Sequence, residues 1–178
     1  NLSLAKSCGQ LGFMSPFVWM FISSYEDLRT HFIECATLTS LVQLEYSGFE
    51  GATVPICTFT LDKQHVAQFV SSFVRLSDFR GGDQQGPKTL EAVQNKKCGW
   101  FYTARPDDFK KMPGSPIAYW SSRKVIDIFS SYPPLSDFLD TREGLTTGSN
   151  ERFLRYWYEV SFENIFFNAT AGLNTKSL

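Results

Sequence analysis

The residues best able to hold a ligand lie in GLTTGSNERFLR, residues 144–155, where Gly144 and Gly148 frame a pair of threonines. Two glycines spaced by four with hydroxyls between them leave backbone N–H groups free to face an anion. Thr146, Thr147 and Asn150 add side-chain donors, and Arg152 and Arg155 follow as candidate phosphate partners. The stretch is not a P-loop, because no lysine follows the second glycine and the spacing differs. A tight turn between two strands, with Asn150 in a left-handed conformation, uses the same residues for no chemistry at all. Phe153, Leu154, Tyr156 and Trp157 likewise read as a core strand whose Arg152 points to water.

The other chemical candidate is Phe49, in the loop SGFEG. Its neighbours are small or acidic, so it belongs to no apolar stripe. A lone ring on a glycine-flanked loop can be presented to a ligand or tucked against a helix below, and the residues alone favour neither. Trp19, Phe21, Phe59, Trp100, Phe101, Trp120 and Trp157 read instead as core or domain-contact residues. His31 and His65 have no cysteine or carboxylate at metal-ligand spacing. Asp107 and Asp108 lie on a turn among lysines and read as solvated. No G-x-S-x-G occurs, and Cys8, Cys35, Cys57 and Cys98 form no C-x-x-C pair; three of the four sit among apolar neighbours, as reduced thiols do in a cytoplasm. The chain carries no catalytic constellation of its own.

The elements that position these residues are legible in the hydrophobic pattern. LGFMS reads as a strand ending at Ser15-Pro16, where a serine cap and a first-turn proline suit the start of a helix. Val18, Phe21, Ile22, Tyr25, Leu28 and Phe32 then recur at helical spacing, with Glu26 and Arg29 on the other side as an ion pair. After a polar break at residues 37–40 come strand LVQLEY, a loop at residues 47–53 and strand VPICTFTL, close enough to form an antiparallel hairpin. FVSSFVRL, residues 69–76, is a further strand, and the Gly- and Pro-rich residues 77–88 read as a loop or linker. A short helix at 89–95, an aromatic strand at 99–104, a turn at Pro106 and a helix at 122–130 with Val125, Ile126 and Phe129 inward follow. Tyr132-Pro133-Pro134 ends that helix, and LSDFLDT reads as strand-like.

A strand, crossover helix and parallel strand followed by a reversed strand is the edge of the sheet in S-adenosylmethionine-dependent methyltransferases. GQLGFMSPFVWMFISSYEDLR, with LVQLEYSGFEGATVPICTFTL after it, resembles the second half of the catalytic domain in adenine-specific DNA methyltransferases of bacterial defence systems. The nearest group is the BREX or phage-growth-limitation type, with single-chain type II restriction-modification enzymes as relatives. PGSPIAYWSS resembles that family's connector, and GLTTGSNERFLR the G-x-x-T-G-x-N-x-x-F sequence that opens its target-recognition domains. The resemblance covers most of residues 4–160. It implies an α/β fold: the C-terminal part of a Rossmann-like methyltransferase sheet at 1–76, a linker at 77–113, and the start of a mixed α+β target-recognition region at 114–178. It also implies that Phe49 stacks on the flipped adenine, that Thr146, Thr147, Asn150, Arg152 and Arg155 approach the DNA backbone, and that the partners are double-stranded DNA and other proteins of the defence system. The glycine-rich S-adenosylmethionine loop and the Asn-Pro-Pro-Tyr catalytic motif would precede Leu11. This chain contains neither, so it is expected to be an excised fragment that neither binds the cofactor nor methylates DNA.

The bulk properties fit that expectation. With 178 residues, 43% hydrophobic and 16% aromatic, the chain can build a packed core. No run of eighteen apolar residues and no signal-like segment appears, which argues for a cytoplasmic protein off the membrane, and the sequon at Asn168 is short enough to arise by chance. The net charge of −1 hides an asymmetry: residues 1–95 carry six Lys/Arg against nine Asp/Glu, and residues 96–157 ten against seven. A non-enzymatic DNA-recognition or protein-interaction module is the competing reading of the same features.

Overall fold

The computed structural model describes residues 2–46, 48, 54–139 and 148–165. The chain forms two compact units, Asn1–Pro134 and Leu135–Leu178. The first is a mixed α/β unit built on a five-stranded sheet in the order β1-β3-β2-β4-β5.

β1 (Gln10–Pro16) alternates as its sequence requires: Leu11, Phe13 and Ser15 are half-buried, and Gln10, Gly12, Met14 and Pro16 are exposed. It pairs antiparallel with β3 (Ile56–Asp62), Phe13 opposite Phe59, and among the described residues has no strand on its other side. β2 (Thr37–Gln43) pairs antiparallel with the opposite edge of β3, so β1 and β2 run the same way with the reversed strand between them. β4 (Ser71–Arg75) is parallel to β2, and β5 (Phe101–Ala104) is antiparallel to β4. The strand, helix, strand and reversed strand expected from residues 10–61 are therefore present.

The helix does not start at Pro16. Proline ends an edge strand as well as it starts a helix, because neither position uses its missing N–H. Two single 3-10 turns follow, Phe17–Met20 and Ser23–Tyr25, and α1 spans only Glu26–Cys35. Arg29 is not on the solvent side either: it is 1% exposed. Its Nη1 donates to the carbonyls of Trp19 at 2.8 Å and Ile22 at 2.7 Å, and its Nε to that of Gly114 at 2.9 Å. The guanidinium thus ties together backbone carbonyls of the irregular turns, adding a second donor at Ile22 O, which also accepts from Tyr25 N–H. Burial lowers the Arg29 pKa, and the Glu26 carboxylate works in the opposite sense.

The polar residues at 37–40 are not a break but the first half of β2. Thr37 Oγ1 donates to Gln64 O at 2.6 Å and accepts from Val66 N–H at 2.7 Å. Thr39 and Ser40 hydroxyls meet Thr60 Oγ1 at 2.6 and 2.7 Å across a register shift between Leu38 and Ser40. Residues 77–88 are likewise not all loop, since α2 spans Gly82–Gln94 with Pro87 inside it.

Each face of the sheet carries a core. Leu41, Cys57, Phe59, Leu61 and Phe73 pack with Met20, Ile33, Phe109, Met112 and Ile117 on the α1 side. Val74 and Leu76 pack with Ala92 of α2 on the other, flanked by Trp100 and Phe101. A fully buried side chain of this size contributes about 1.5–3 kcal/mol, so these clusters hold the sheet and not the ion pairs on its surface. Further along, α3 spans Pro106–Phe109 and α4 spans Arg123–Ser131, capped by Ser122. Of the three α4 residues expected inward only Ile126 is buried, at 7% exposure; Val125 and Phe129 are 42% and 50% exposed. Among the cysteines only Cys57 is buried, while Cys8 and Cys35 are exposed. LSDFLDT is not a strand where described: Leu135–Asp137 is a 3-10 turn.

Candidate nucleic-acid interface

β1, β2 and β4 all end at the same side of the sheet, where β3 begins, so the described ends of the β2–β3 connection, residues 44–46 and 54–55, lie at that side. Phe49 itself lies outside the described residues. The base of its loop is fixed: Leu44 N–H donates to Ile56 O at 3.0 Å, and Phe17 N–H donates to Pro55 O at 3.0 Å. Glu45 N–H donates to the Gln85 side-chain carbonyl at 3.1 Å. Gly48 is required here, because a Cβ would lie 2.9 Å from Gln85 and from Glu45 O.

Open α/β sheets receive nucleotides in the crevice where neighbouring parallel strands lead off in opposite directions. In this chain that point lies between β2, which turns back into β3, and β4, which leads to α2. Gln85 of α2 plugs it. The side chain sits in a residue only 5% exposed, and its Nε2 donates to the carbonyls of Phe79 and Gly81 while its Oε1 holds Glu45 N–H. On the α1 face, at the last residue of β2, Tyr119 donates to Gln43 Oε1 at 2.7 Å and stacks on Phe73 with centroids 4.6 Å apart. Burial drives the Tyr119 pKa well above the ordinary phenol value, so the hydroxyl stays a donor. Arg75 closes the row, its Nε on Ser77 Oγ at 2.8 Å and its guanidinium 5.2 Å from the Trp120 ring centroid. Sequence reading missed Gln43, Gln85 and Tyr119; a buried amide next to a buried phenol has no local signature.

The second candidate stretch begins outside the described residues, which exclude Thr146 and Thr147. Asn150 opens a short helix, α5 (Asn150–Phe153), so it is neither left-handed nor the start of a strand. Arg152 is exposed and follows Asn150 on that helix. Arg155 turns back on the helix end, its Nη1 donating to the carbonyls of Glu151 at 2.8 Å and Leu154 at 2.7 Å. A cavity of about 710 Å3 lies between Asn150, Arg155, Tyr156 and Glu159. Tyr156 and Tyr158 stack, centroids 5.3 Å apart and planes 4° from parallel.

Neither histidine sits in a metal cluster: among the described residues no group of three His, Cys, Asp or Glu side chains converges. His65 is nonetheless partnered, its Nε2 3.0 Å from Asp107 Oδ1, while Asp107 Oδ2 accepts from Gln68 N–H at 3.0 Å. Asp107 is therefore a structural clamp between the β3–β4 connection and α3, not a solvated turn residue. Burial works against its ionisation, and the bonds from His65 and Gln68 outweigh it and lower its pKa. Cys57 is held as a thiol, its pKa pushed up by burial to about 11 against weaker contacts from Trp19 and Ser15.

No family model matches the chain. It is 36% identical over 173 residues to the adenine-specific methyltransferase PglX of Lacticaseibacillus casei (strain Zhang), covering 94% of this chain. It is 34% identical over 180 residues to the adenine-specific methyltransferase BrxX of Escherichia coli O9:H4 (strain HS), covering 98% of this chain. The chain spans 14% of the length of each. A chain solved in work on complex assembly and conformational transition of the type I R-M system aligns over 74% of this chain and 31% of its own, at 9% identity and a TM-score of 0.48. From nearly end to end, the chain is homologous to one segment of the adenine-specific methyltransferases PglX and BrxX.

Proposed function

We propose that this chain is the sheet edge, connector and target-recognition entry of a cytoplasmic adenine-specific DNA methyltransferase of a phage-defence system. The observation that carries this reading is similarity to PglX and BrxX at 34–36% identity over 94–98% of the chain. The whole enzyme would transfer a methyl group from S-adenosylmethionine to the exocyclic amine of an adenine flipped out of duplex DNA. The residues of this chain do not fit the cofactor: Gln85 fills the crevice between β2 and β4 and its amide is fully committed to backbone groups. No step through S-adenosylmethionine is assigned to them.

The part left to this chain is support and contact. β1, β3 and β2 extend the catalytic sheet, and the open side of β1 is where the remainder of a Rossmann-like sheet would join. The loop after β2 would present Phe49 to the flipped base. Thr146, Thr147, Asn150, Arg152 and Arg155 would lie toward the DNA backbone, where phosphate contacts set orientation without reading sequence. No helix among the described residues is long and apolar enough to cross a membrane.

The test is labelled-methyl transfer to duplex DNA by the full-length polypeptide, with Phe49→Ala beside it. Base stacking on a ring is worth about 1–3 kcal/mol, so the variant should lose roughly 5- to 150-fold in kcat/KM at unchanged Tm. A full-length protein that binds DNA and transfers no methyl group refutes the enzyme reading. Lost stability with retained activity would refute the role of Phe49 alone.

A further inference from the structure

At the end of the sheet away from the Phe49 loop, where β4 starts and β5 ends, a cleft of about 230 Å3 opens between β5, α3 and the first turn of α4. It is lined by exposed Val70 and buried Ile126 together with Thr103, Arg105, Ser121, Arg123 and one carboxylate, Asp108. That carboxylate is already engaged by Lys111 Nζ at 2.7 Å. Arg105 uses Nη1 on the neutral side-chain carbonyl of Gln68 at 2.6 Å, which leaves its charge uncompensated. Among the described residues no carboxylate lies within ion-pair distance of either Arg105 or Arg123.

Two guanidinium groups on one small cleft, with two hydroxyls in the same lining, suit an oxyanion. Each guanidinium has five donors in a planar fork that matches carboxylate or phosphate oxygens, and Thr103 and Ser121 can serve a further oxygen. The volume is below that of sites for drug-sized organic molecules, so the cleft holds one group and not a whole cofactor. Its polar and charged residues fall in the stretch with the basic surplus, ten Lys/Arg against seven Asp/Glu over residues 96–157.

We propose that the Arg105–Arg123 cleft binds a phosphate group of the DNA backbone, as an anchor separate from residues 144–155. The source of the phosphate rests on the DNA reading above, whereas the site rests on the cleft alone. One phosphate neutralised changes the slope of log K against log salt by about 0.9.

The experiment measures binding of a 20-base-pair duplex to the full chain by fluorescence anisotropy between 25 and 200 mM salt, for the wild type and for Arg105→Gln/Arg123→Gln. In parallel, inorganic phosphate is titrated while the arginine Nε–H resonances are followed by NMR. The double variant should bind DNA about tenfold more weakly at low salt, with a slope shallower by about 0.9 and an unchanged Tm. A wild type that ignores DNA while inorganic phosphate shifts the Arg105 and Arg123 resonances would keep the site and refute the DNA reading. DNA binding that the folded double variant leaves untouched overturns the site, as does a wild type that responds to neither probe.

Discussion

Arg29→Met gives the sharpest measure of what holds the first unit together. The methionine keeps most of the aliphatic stem packed and deletes the guanidinium. The carbonyls of Trp19 and Gly114 then lose the guanidinium donor, and that of Ile22 keeps only the Tyr25 N–H at 3.1 Å. A buried acceptor left unsatisfied costs about 1–3 kcal/mol, with the lower figure suited to Gly114, whose bond is only partly buried and can be replaced by water, and Ile22 loses one of its two donors. Against that loss stands the cost of burying the charge itself, which the lowered Arg29 pKa reveals and which the variant recovers. The balance is a net loss of about 2–4 kcal/mol. Urea unfolding followed by tryptophan fluorescence should show a lower midpoint with an unchanged slope, and Tm should fall by roughly 6–15 °C for a unit of this size. A loss under about 0.5 kcal/mol would mean that charge burial cancels the four guanidinium bonds, and the account of the 3-10 turns as structures held by Arg29 would be wrong.

Tyr119→Phe keeps the stack on Phe73 and strands Gln43 Oε1, so it should cost about 1–2 kcal/mol in a urea melt. Asp107 has a lowered folded pKa, so its contribution is present above the ordinary carboxylate value of about 3.9 and is lost as pH falls through the folded value. Wild type and Asp107→Asn should therefore differ in Tm at pH 7 and converge in acid; a constant difference down to pH 2 would contradict the clamp. Under native conditions a thiol reagent should label exposed Cys8 and Cys35 quickly and buried Cys57 only on unfolding, given its pKa of about 11.

What the sequence reveals here depends on how local the cause is. β1 and β3 are legible because their apolar residues alternate, and the reversed strand follows from the short distance between β2 and β3. The start of β2 is hidden because Thr37, Thr39 and Ser40 look like a loop until their partners Gln64 and Thr60 arrive from elsewhere in the chain. Arg29 reads as a surface charge for the same reason: its acceptors belong to turns before it and to Gly114, 85 residues on. α2 is obscured by Gly86 and Pro87, which predict a loop, whereas Gln85 at its first turn and Ala92 against Val74 and Leu76 hold it as a helix. On the candidate interface, Gly48 at the base of the loop after β2 is legible as a required glycine, but the two-arginine cleft joins Arg105 to Arg123 across α3 and the chain after it, a proximity that no spacing rule contains.

The open side of β1 also governs how this chain behaves when handled by itself. A seven-residue edge with half-buried Leu11 and Phe13, exposed Met14 and no charged side chain is a template on which a second copy can lay its own β1. Edge-to-edge pairing of two such sheets would make a continuous ribbon, and light scattering should then rise with protein concentration before any unfolding. Gly12 is the place to interrupt it, since a Cβ there meets nothing within 4 Å and the position points away from the α1 core. Gly12→Lys should keep the fold, replace a weak strand former and set a charge on the edge, leaving a monomer at concentrations where the wild type associates.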